Sequence, residues 1–167
     1  DHIRGIAELA QHCTEANIVV PLAFSKDEYT RLFTVYDNSV LLDDRRKVKI
    51  REIVDLLNIL KSKRESDPRY NGIIEPTKCN SIVYRNNIGS VEALSPSNAM
   101  VSQSLALIGN LLPKSNDRRR RLPRDEPNHN AIALWIQLGN IKVLLGSDLE
   151  ESGLPYAGWS DILSSDV

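Results

Sequence analysis

The sequence predicts a mixed α/β (α+β) protein in which apolar helices cover the outer faces of β-sheets. Apolar residues recur at helical and at strand-like spacing in turn, beginning with the order helix, strand, helix. Near the end of the chain, two strongly apolar runs, residues 131–138 and 141–145, are separated by only two residues and predict a tight hairpin. Without an internal repeat, the simplest organisation is a single domain over residues 1–167.

The composition is that of an ordinary globular chain and carries no global signal for a nucleic acid or a membrane. Of the 167 residues, 41% are apolar and 26% are charged. The formal net charge is −1, so binding of a polyanion would need a local basic patch. No apolar run approaches the roughly 18 residues of a membrane span, and no signal peptide opens the chain, so we expect a cytoplasmic protein. Cys13 and Cys79 are expected to be buried reduced thiols.

The first predicted elements are a helix over residues 3–13, a short strand over residues 18–21 and a second helix. Apolar residues at helical spacing mark the first helix, and a proline closes the strand. Ser25 and Glu28 have the spacing of a capping box, which predicts the start of the second helix. The buried face of that helix is expected to contain Tyr29, Leu32, Phe33 and Tyr36.

The middle of the chain predicts a long helix, two short strands and a further helix. Apolar residues at core spacing mark a helix over residues 47–63, and residues 66–76 are interpreted as a loop because prolines and a glycine interrupt them. Two strands are predicted at residues 81–85 and 91–94. Ser95, with the proline that follows it, is predicted to cap the next helix. The buried stripe expected on that helix is Val101, Leu105, Ile108 and Leu112.

The hairpin is the strongest local signal in the sequence. Gly139 stands at the first central position of a two-residue loop, which favours a type II′ turn. Both runs are almost continuously apolar, which predicts strands covered on both faces. Asp148 follows the second strand, and burying an unpaired carboxylate is costly. We therefore expect Asp148 at the rim of the sheet, where it can cap a helix, face water or bind a metal. A short closing helix is predicted around Trp159.

Residues 113–127 are too polar to be buried and are predicted to form a mobile loop. Arginines in this loop could steer a phosphate group, and so a nucleic acid, through charge. The alternative is a solvated loop, because neighbouring acidic residues dilute the patch and no aromatic residue is interleaved for base stacking. The arginines are Arg118, Arg119, Arg120 and Arg121.

Asp1 and His2 are adjacent at a helix start, and Asp148 follows a core strand far along the chain. Carboxylate and imidazole are ligands that divalent zinc, manganese and iron accept. The alternative for Asp1 is a carboxylate favoured by the helix dipole, and the alternative for Asp148 is a cap for the following turn.

The remaining histidines and the tryptophans are interpreted as structural. His12 is expected to be an exposed or core-edge side chain, and His129 a side chain at the rim. The asparagines on either side of His129 are interpreted as turn residues that bond to the backbone. Trp135 and Trp159 are interpreted as core residues.

Taken together, these segments resemble the metallo-β-lactamase superfamily of metal-dependent hydrolases. The letters D-H-I-R-G at residues 1–5 match the second half of the family motif H-x-H-x-D-H and the H-I-x-G that follows it. Residues 128–150 resemble the later strand pair of the family, which ends in a G-D or S-D acid, and residues 91–96 resemble the strand-to-helix segment between the two motifs. The nearest branch is the metallo-hydrolase domain of the competence DNA-uptake proteins.

The resemblance implies an αββα sandwich with a site for two divalent metal ions, zinc first, with manganese or iron as alternatives. It implies that Asp1 and His2 bind the second metal, that Asp1 also holds the attacking water or accepts its proton, and that Asp148 bridges both ions. Such metals lower the pKa of bound water and polarise the scissile bond. The implied reaction is phosphodiester hydrolysis by a nuclease, which the arginine loop favours over β-lactam cleavage.

The sequence departs from the family pattern at both ends. The H-x-H half of the first motif and the histidine of a later H-H-G-S-like loop are absent from it. We therefore expect the interior of a longer protein, a sandwich incomplete at both ends, whose site is completed by flanking segments or partner chains. Two alternatives stay open: a non-catalytic interaction domain that kept the fold, and a thioester hydrolase of the same fold.

Overall fold

The structure of the chain is a computed structural model that describes residues 5–13, 16–37, 44–66, 74–113 and 128–165. Its α-helices are α1 (Ile6–His12), α2 (Asp27–Asp37), α3 (Asp44–Ser66), α4 (Asn98–Leu111) and α5 (Gly158–Ser164). Its strands are β1 (Ile18–Pro21), β2 (Ile74–Thr77), β3 (Ser81–Arg85), β4 (Gly89–Ala93), β5 (Leu134–Leu138) and β6 (Ile141–Leu145). This mixture of helices and strands confirms the α+β class. The loop predicted at residues 113–127 lies, after its first residue, outside the described residues.

The contacts divide the chain into two compact units, and the first holds α1, α2 and α3. Both α1 and α2 pack against α3. Glu52 of α3 accepts the N–H of Ala7 at 3.1 Å, in the first turn of α1, and Lys63 of α3 donates to the carbonyl of Ala10 near the end of α1. The two ends of α1 thus receive the charges that its dipole favours, and α1 runs in the same direction as α3. The buried centre of this contact is Ala10, Leu56 and Leu60.

The second unit is built on a four-stranded sheet in the order β3–β4–β5–β6, with every neighbouring pair antiparallel. The hairpin between β5 and β6 confirms the prediction: Leu138 pairs with Ile141, and the loop is Gly139-Asn140. Gly139 has φ of 57° and Asn140 stays at negative φ, as a type II′ turn requires. The interpretation of the whole chain as one domain stays a prediction.

The prediction that both hairpin strands are covered on both faces is wrong. All five residues of β6 are exposed, and β5 is half-buried over its first three residues and exposed over its last two. β6 is the last strand of this sheet, with β5 on one side, and its side chains are exposed on both faces. The apolar pattern indicates that a strand needs burial, but it does not say which element supplies it.

The predicted cap of α4 is also wrong by two residues. Ser97 is the cap, since its hydroxyl oxygen accepts the N–H of Met100 at 3.1 Å and the helix starts at Asn98. Ser95 is buried, and its hydroxyl makes other hydrogen bonds in the same unit. Its hydroxyl donates to the carbonyl of Ala131 at 2.6 Å and accepts the N–H of Ala133 at 2.8 Å, tying the end of β4 to the chain that enters β5.

Three further predictions were wrong in detail. On α4, Val101 and Ile108 are buried as predicted, but Ser104 is buried in place of Leu105, which is exposed. Cys13 is exposed rather than buried, because α1 ends before it and its backbone leaves the helical region. The segment interpreted as a loop to residue 76 ends in strand β2, which includes Pro76. Helix α2 begins at Asp27, after a 3-10 turn over Leu22–Ser25.

Candidate functional site

The candidate site is the loop that leaves β6, residues 146–151, which we call the rim loop. The N–H of Leu149 donates to the carbonyl of Gly146 at 3.2 Å and closes a turn at the end of the strand. Ser147 lies inside this turn at φ of 52°, in the left-handed region that few residues other than glycine adopt. Asp148 follows it and is exposed. The carboxylate therefore lies at the rim of the sheet, as the sequence predicts.

Trp159 of α5 anchors the rim loop through two hydrogen bonds and a packing contact. Its indole N–H donates to the carbonyl of Leu149 at 2.8 Å, and its backbone N–H donates to the carbonyl of Glu150 at 3.3 Å. Its ring also packs against Gly146, where a Cβ atom would lie 2.8 Å from ring atom Cζ2. Asp148 is thus held between two anchored positions, which limits how far its carboxylate can move.

Glu151 adds a second ordered carboxylate to the rim loop. It accepts hydrogen bonds from the hydroxyl of Ser160 and, at 2.9 Å, from the N–H of Gly153. These bonds hold the pKa of Glu151 below its usual range. With Asp148 and Glu150, three acidic residues share a loop of six, so the loop attracts cations.

A 3-10 turn over Asn128–Asn130 is joined to the rim loop and to α4 through its side chains. The amide of Asn128 donates to Glu150 Oε1 at 3.2 Å, and the amide of Asn130 donates to the hydroxyl of Ser104 at 2.8 Å. The interpretation of these asparagines as backbone-bonding residues is therefore wrong, since their amide groups bond to side chains. His129 lies between them and is half-buried.

The predicted metal ligands are described only in part. Asp1 and His2 lie outside the described residues, as do the four arginines, so their approach to Asp148 stays a prediction. Within the described ranges, no group of three or more His, Cys, Asp or Glu side chains could hold a metal ion. Asp148 by itself fits one place in a divalent metal site, because it offers an exposed carboxylate on an anchored turn. His12 is exposed at the end of α1, as predicted.

The first unit, which contains α1, α2 and α3 and which we call the helical unit, has an open groove of about 560 Å³ that the sequence did not predict. Three carboxylates, Glu8, Glu52 and Asp55, line it beside amide and apolar side chains. Their spacing on α3, three residues apart, places two of them on one helix face, which is the signal that could have found the groove. One of the three, Glu52, already binds the N–H of Ala7. The groove can attract a cation but presents an incomplete ligand set.

Comparison with protein-family models, curated proteins and solved structures found no match to this chain. A search of the described residues found no helix that is both long enough and apolar enough to cross a membrane. The longest, α3, has 23 residues, but it carries charged residues along its length.

Proposed function

We propose that the chain is a metal-dependent hydrolase of metallo-β-lactamase type that cleaves phosphodiesters, with nucleic acid as its substrate class. The observation that carries the proposal is the position of Asp148, an exposed carboxylate on an anchored turn directly after β6. The resemblance of residues 1–5 and 128–150 to the motifs of that superfamily supplies the reaction type.

We further propose that the sheet belongs to an αββα sandwich, and one face of the sheet supports this. The pairing register places Tyr84, Val143 and Leu145 on one face, together with Leu138 and Ile141. All five are large and exposed. An apolar sheet face of this kind is stabilised when a second sheet packs on it about 10 Å away. Glu92 and Trp135 lie on the opposite face of the sheet, which is the face that helices cover in such a sandwich.

In this proposal Asp1, His2 and Asp148 would hold the metal ions. When bound, divalent metals supply Lewis-acid activation of water and of the scissile bond. The part of this chain is to keep ligands in place. The bonds from Trp159 hold the backbone carbonyls of Leu149 and Glu150, next to Asp148, so the turn that carries its carboxylate is already in place to bind a cation. The negative charge of the rim loop raises the local cation concentration.

The test is metal binding by calorimetry with Zn²⁺ or Mn²⁺, combined with hydrolysis of a simple phosphodiester before and after chelation. Asp148→Ala is expected to weaken metal binding by at least about tenfold, because one carboxylate ligand is lost. Glu65→Ala is the matched control, since it removes an exposed carboxylate from the helical unit, where it pairs only loosely with Lys61. If Asp148→Ala and Glu65→Ala bind metal as the wild type does, the site assignment is wrong.

A second candidate function is a non-catalytic interaction domain, which the exposed apolar strand β6 favours. Long apolar edges are sites where other chains add strands. The two functions differ in one measurement: an interaction domain is expected to associate with a partner at the same affinity with and without a chelator.

We also infer that the chain works in the cytoplasm. Both cysteines are free thiols, and Cys13 is exposed. Exposed free thiols persist in a reducing compartment and are oxidised outside it. Mass spectrometry of protein isolated in the presence of an alkylating agent tests this: an alkylated Cys13 is expected, and a mixed disulfide at Cys13 would contradict the inference.

A further inference from the structure

Strand β6 is an apolar sheet edge, and no strand among the described residues pairs with its outer side. Four of its five residues are large and apolar, with exposed fractions of 64% for Ile141, 38% for Val143, 47% for Leu144 and 48% for Leu145. The remaining residue, Lys142, is the one charge in the strand, and its ammonium lies 5.9 Å from the ring centroid of Trp135. A strand of this composition at an edge is a template for pairing with another strand.

The two edges of the sheet differ in the way they are protected. At the β3 edge the register shifts between Ile82 and Tyr84, and the strand ends in the charged residue Arg85. Bulges and charges of this kind discourage pairing. At the β6 edge the register with β5 runs without a shift from Leu134↔Leu145 to Leu138↔Ile141. The β6 edge is therefore the regular one, able to accept a strand along its whole length.

The hairpin determines which backbone groups of β6 face outward. In a two-residue hairpin the residues that flank the loop exchange hydrogen bonds, and such pairs then alternate along the strands. Because Leu138 pairs with Ile141, the backbone groups of Ile141, Val143 and Leu145 point towards β5. The N–H and C=O groups of Lys142 and Leu144 point the other way, to the open side.

We propose that β6 pairs antiparallel with β6 of a second copy of this chain, about a two-fold axis at Val143, so that two four-stranded sheets become one. The outward groups match themselves in this register, because Lys142 of each copy stands opposite Leu144 of the other and each such pair exchanges two hydrogen bonds. Ile141 stands opposite Leu145, and Val143 opposite Val143. The lysines do not face each other, so the strand pairs without a like-charge contact.

The expected dimer is weak. The four apolar side chains of β6 expose on the order of 400 Å² in each copy, so two copies bury about 800 Å² at most from these residues, below the ~1,200 Å² of a standard stable interface. The dimer is therefore expected to form only at high protein concentration. The proposal is independent of the hydrolase function, since it uses neither Asp148 nor a metal.

The test is sedimentation velocity over a concentration range from about 1 to 300 μM, with charge variants at one exposed position. Leu144→Lys places two lysines opposite each other twice in the dimer, whereas Leu144→Glu places a carboxylate opposite Lys142 twice. Because like charges opposite each other destabilise a cross-strand pair and opposite charges stabilise it, and the dimer contains two such pairs, the lysine variant is expected to dissociate roughly tenfold more readily than the glutamate variant. Circular dichroism of both variants checks that the fold is kept.

Leu144→Pro is a second variant that tests the backbone rather than the side chain. It removes an outward N–H while leaving the bonds between β5 and β6 intact, and it is expected to abolish the dimer. A wild-type chain that stays monomeric throughout the concentration range overturns the proposal. Any strand that pairs with the β6 edge would then come from something other than a second copy of this chain. Equal dissociation of Leu144→Lys and Leu144→Glu also overturns it, because association would then not use this register.

Discussion

Replacement of Gly146 by alanine is expected to displace Trp159 and loosen the rim loop. The added Cβ would lie 2.8 Å from Cζ2 and 3.2 Å from Cη2 of the ring, so the ring must move by several tenths of an ångström. Overpacking of this kind costs about 1–3 kcal/mol, and weakening of the indole bond to Leu149 adds about 1 kcal/mol. The lower entropy of the unfolded alanine variant offsets about 0.5–1 kcal/mol. The net loss of stability is about 2 kcal/mol.

Urea unfolding followed by tryptophan fluorescence measures this loss. With a slope of about 2 kcal/mol per M for a chain of this size, Gly146→Ala is expected to lower the midpoint by about 1 M. The matched control is Gly109→Ala, since Gly109 is inside α4 with open space around its missing Cβ, and this change should stabilise by about 0.5–1 kcal/mol. Trp159→Phe combined with Gly146→Ala should recover part of the loss. A Gly146→Ala variant as stable as Gly109→Ala would refute the tight contact.

Three further predictions follow from other contacts. Ser95→Ala is expected to lower stability by about 2 kcal/mol, measured by urea unfolding, because two backbone groups, including the N–H of the fully buried Ala133, lose their partner. Burial raises the pKa of Tyr29 well above its usual range, so the unfolded chain releases a proton that the folded chain keeps. Stability should therefore fall above about pH 10, by up to ~1.4 kcal/mol per pH unit, and thermal melts of Tyr29→Phe should show a smaller fall. Ser160→Ala is expected to raise the lowered pKa of Glu151 towards its usual value, which an NMR titration of its side-chain carboxyl carbon would report; an unchanged titration would show that the hydroxyl has no part in the shift.

The sequence predicted well those elements whose formation depends on a few neighbouring residues. Strand β3 has the predicted bounds, and the two-residue loop at Gly139 has the predicted turn, because spacing and glycine position act over a few residues. Helix α3 was predicted from its apolar spacing, but that spacing does not show that Leu56 is buried while the adjacent Leu57 is only half-buried. That choice depends on where α1 lies against α3, which no local pattern encodes.

The parts of the candidate site that hold Asp148 in place could not be predicted. The position of Asp148 at the rim follows from the cost of burying a charge. The anchoring by Trp159 does not, because it joins residues ten apart through an indole bond and a close packing contact with a glycine. Ser95 shows the same limit. Before a proline it has the signature of a helix cap, yet its partners are more than 30 residues away, and a nearer serine, Ser97, performs the capping.

The two proposals use different parts of strand β6. The sandwich uses one face of the strand, and the dimer uses its outer backbone edge. A sandwich would cover the face that carries Val143, whereas pairing with a second copy uses the backbone edge at Leu144, whose side chain lies on the opposite face. If a second sheet packs on this face, a polar substitution at Val143 should therefore lower the stability of the assembly that contains that sheet. The charge variants at Leu144 should leave that stability unchanged and alter only self-association. If both positions affected only self-association, the apolar face would belong to the dimer, and the support it lends to the αββα sandwich would be lost.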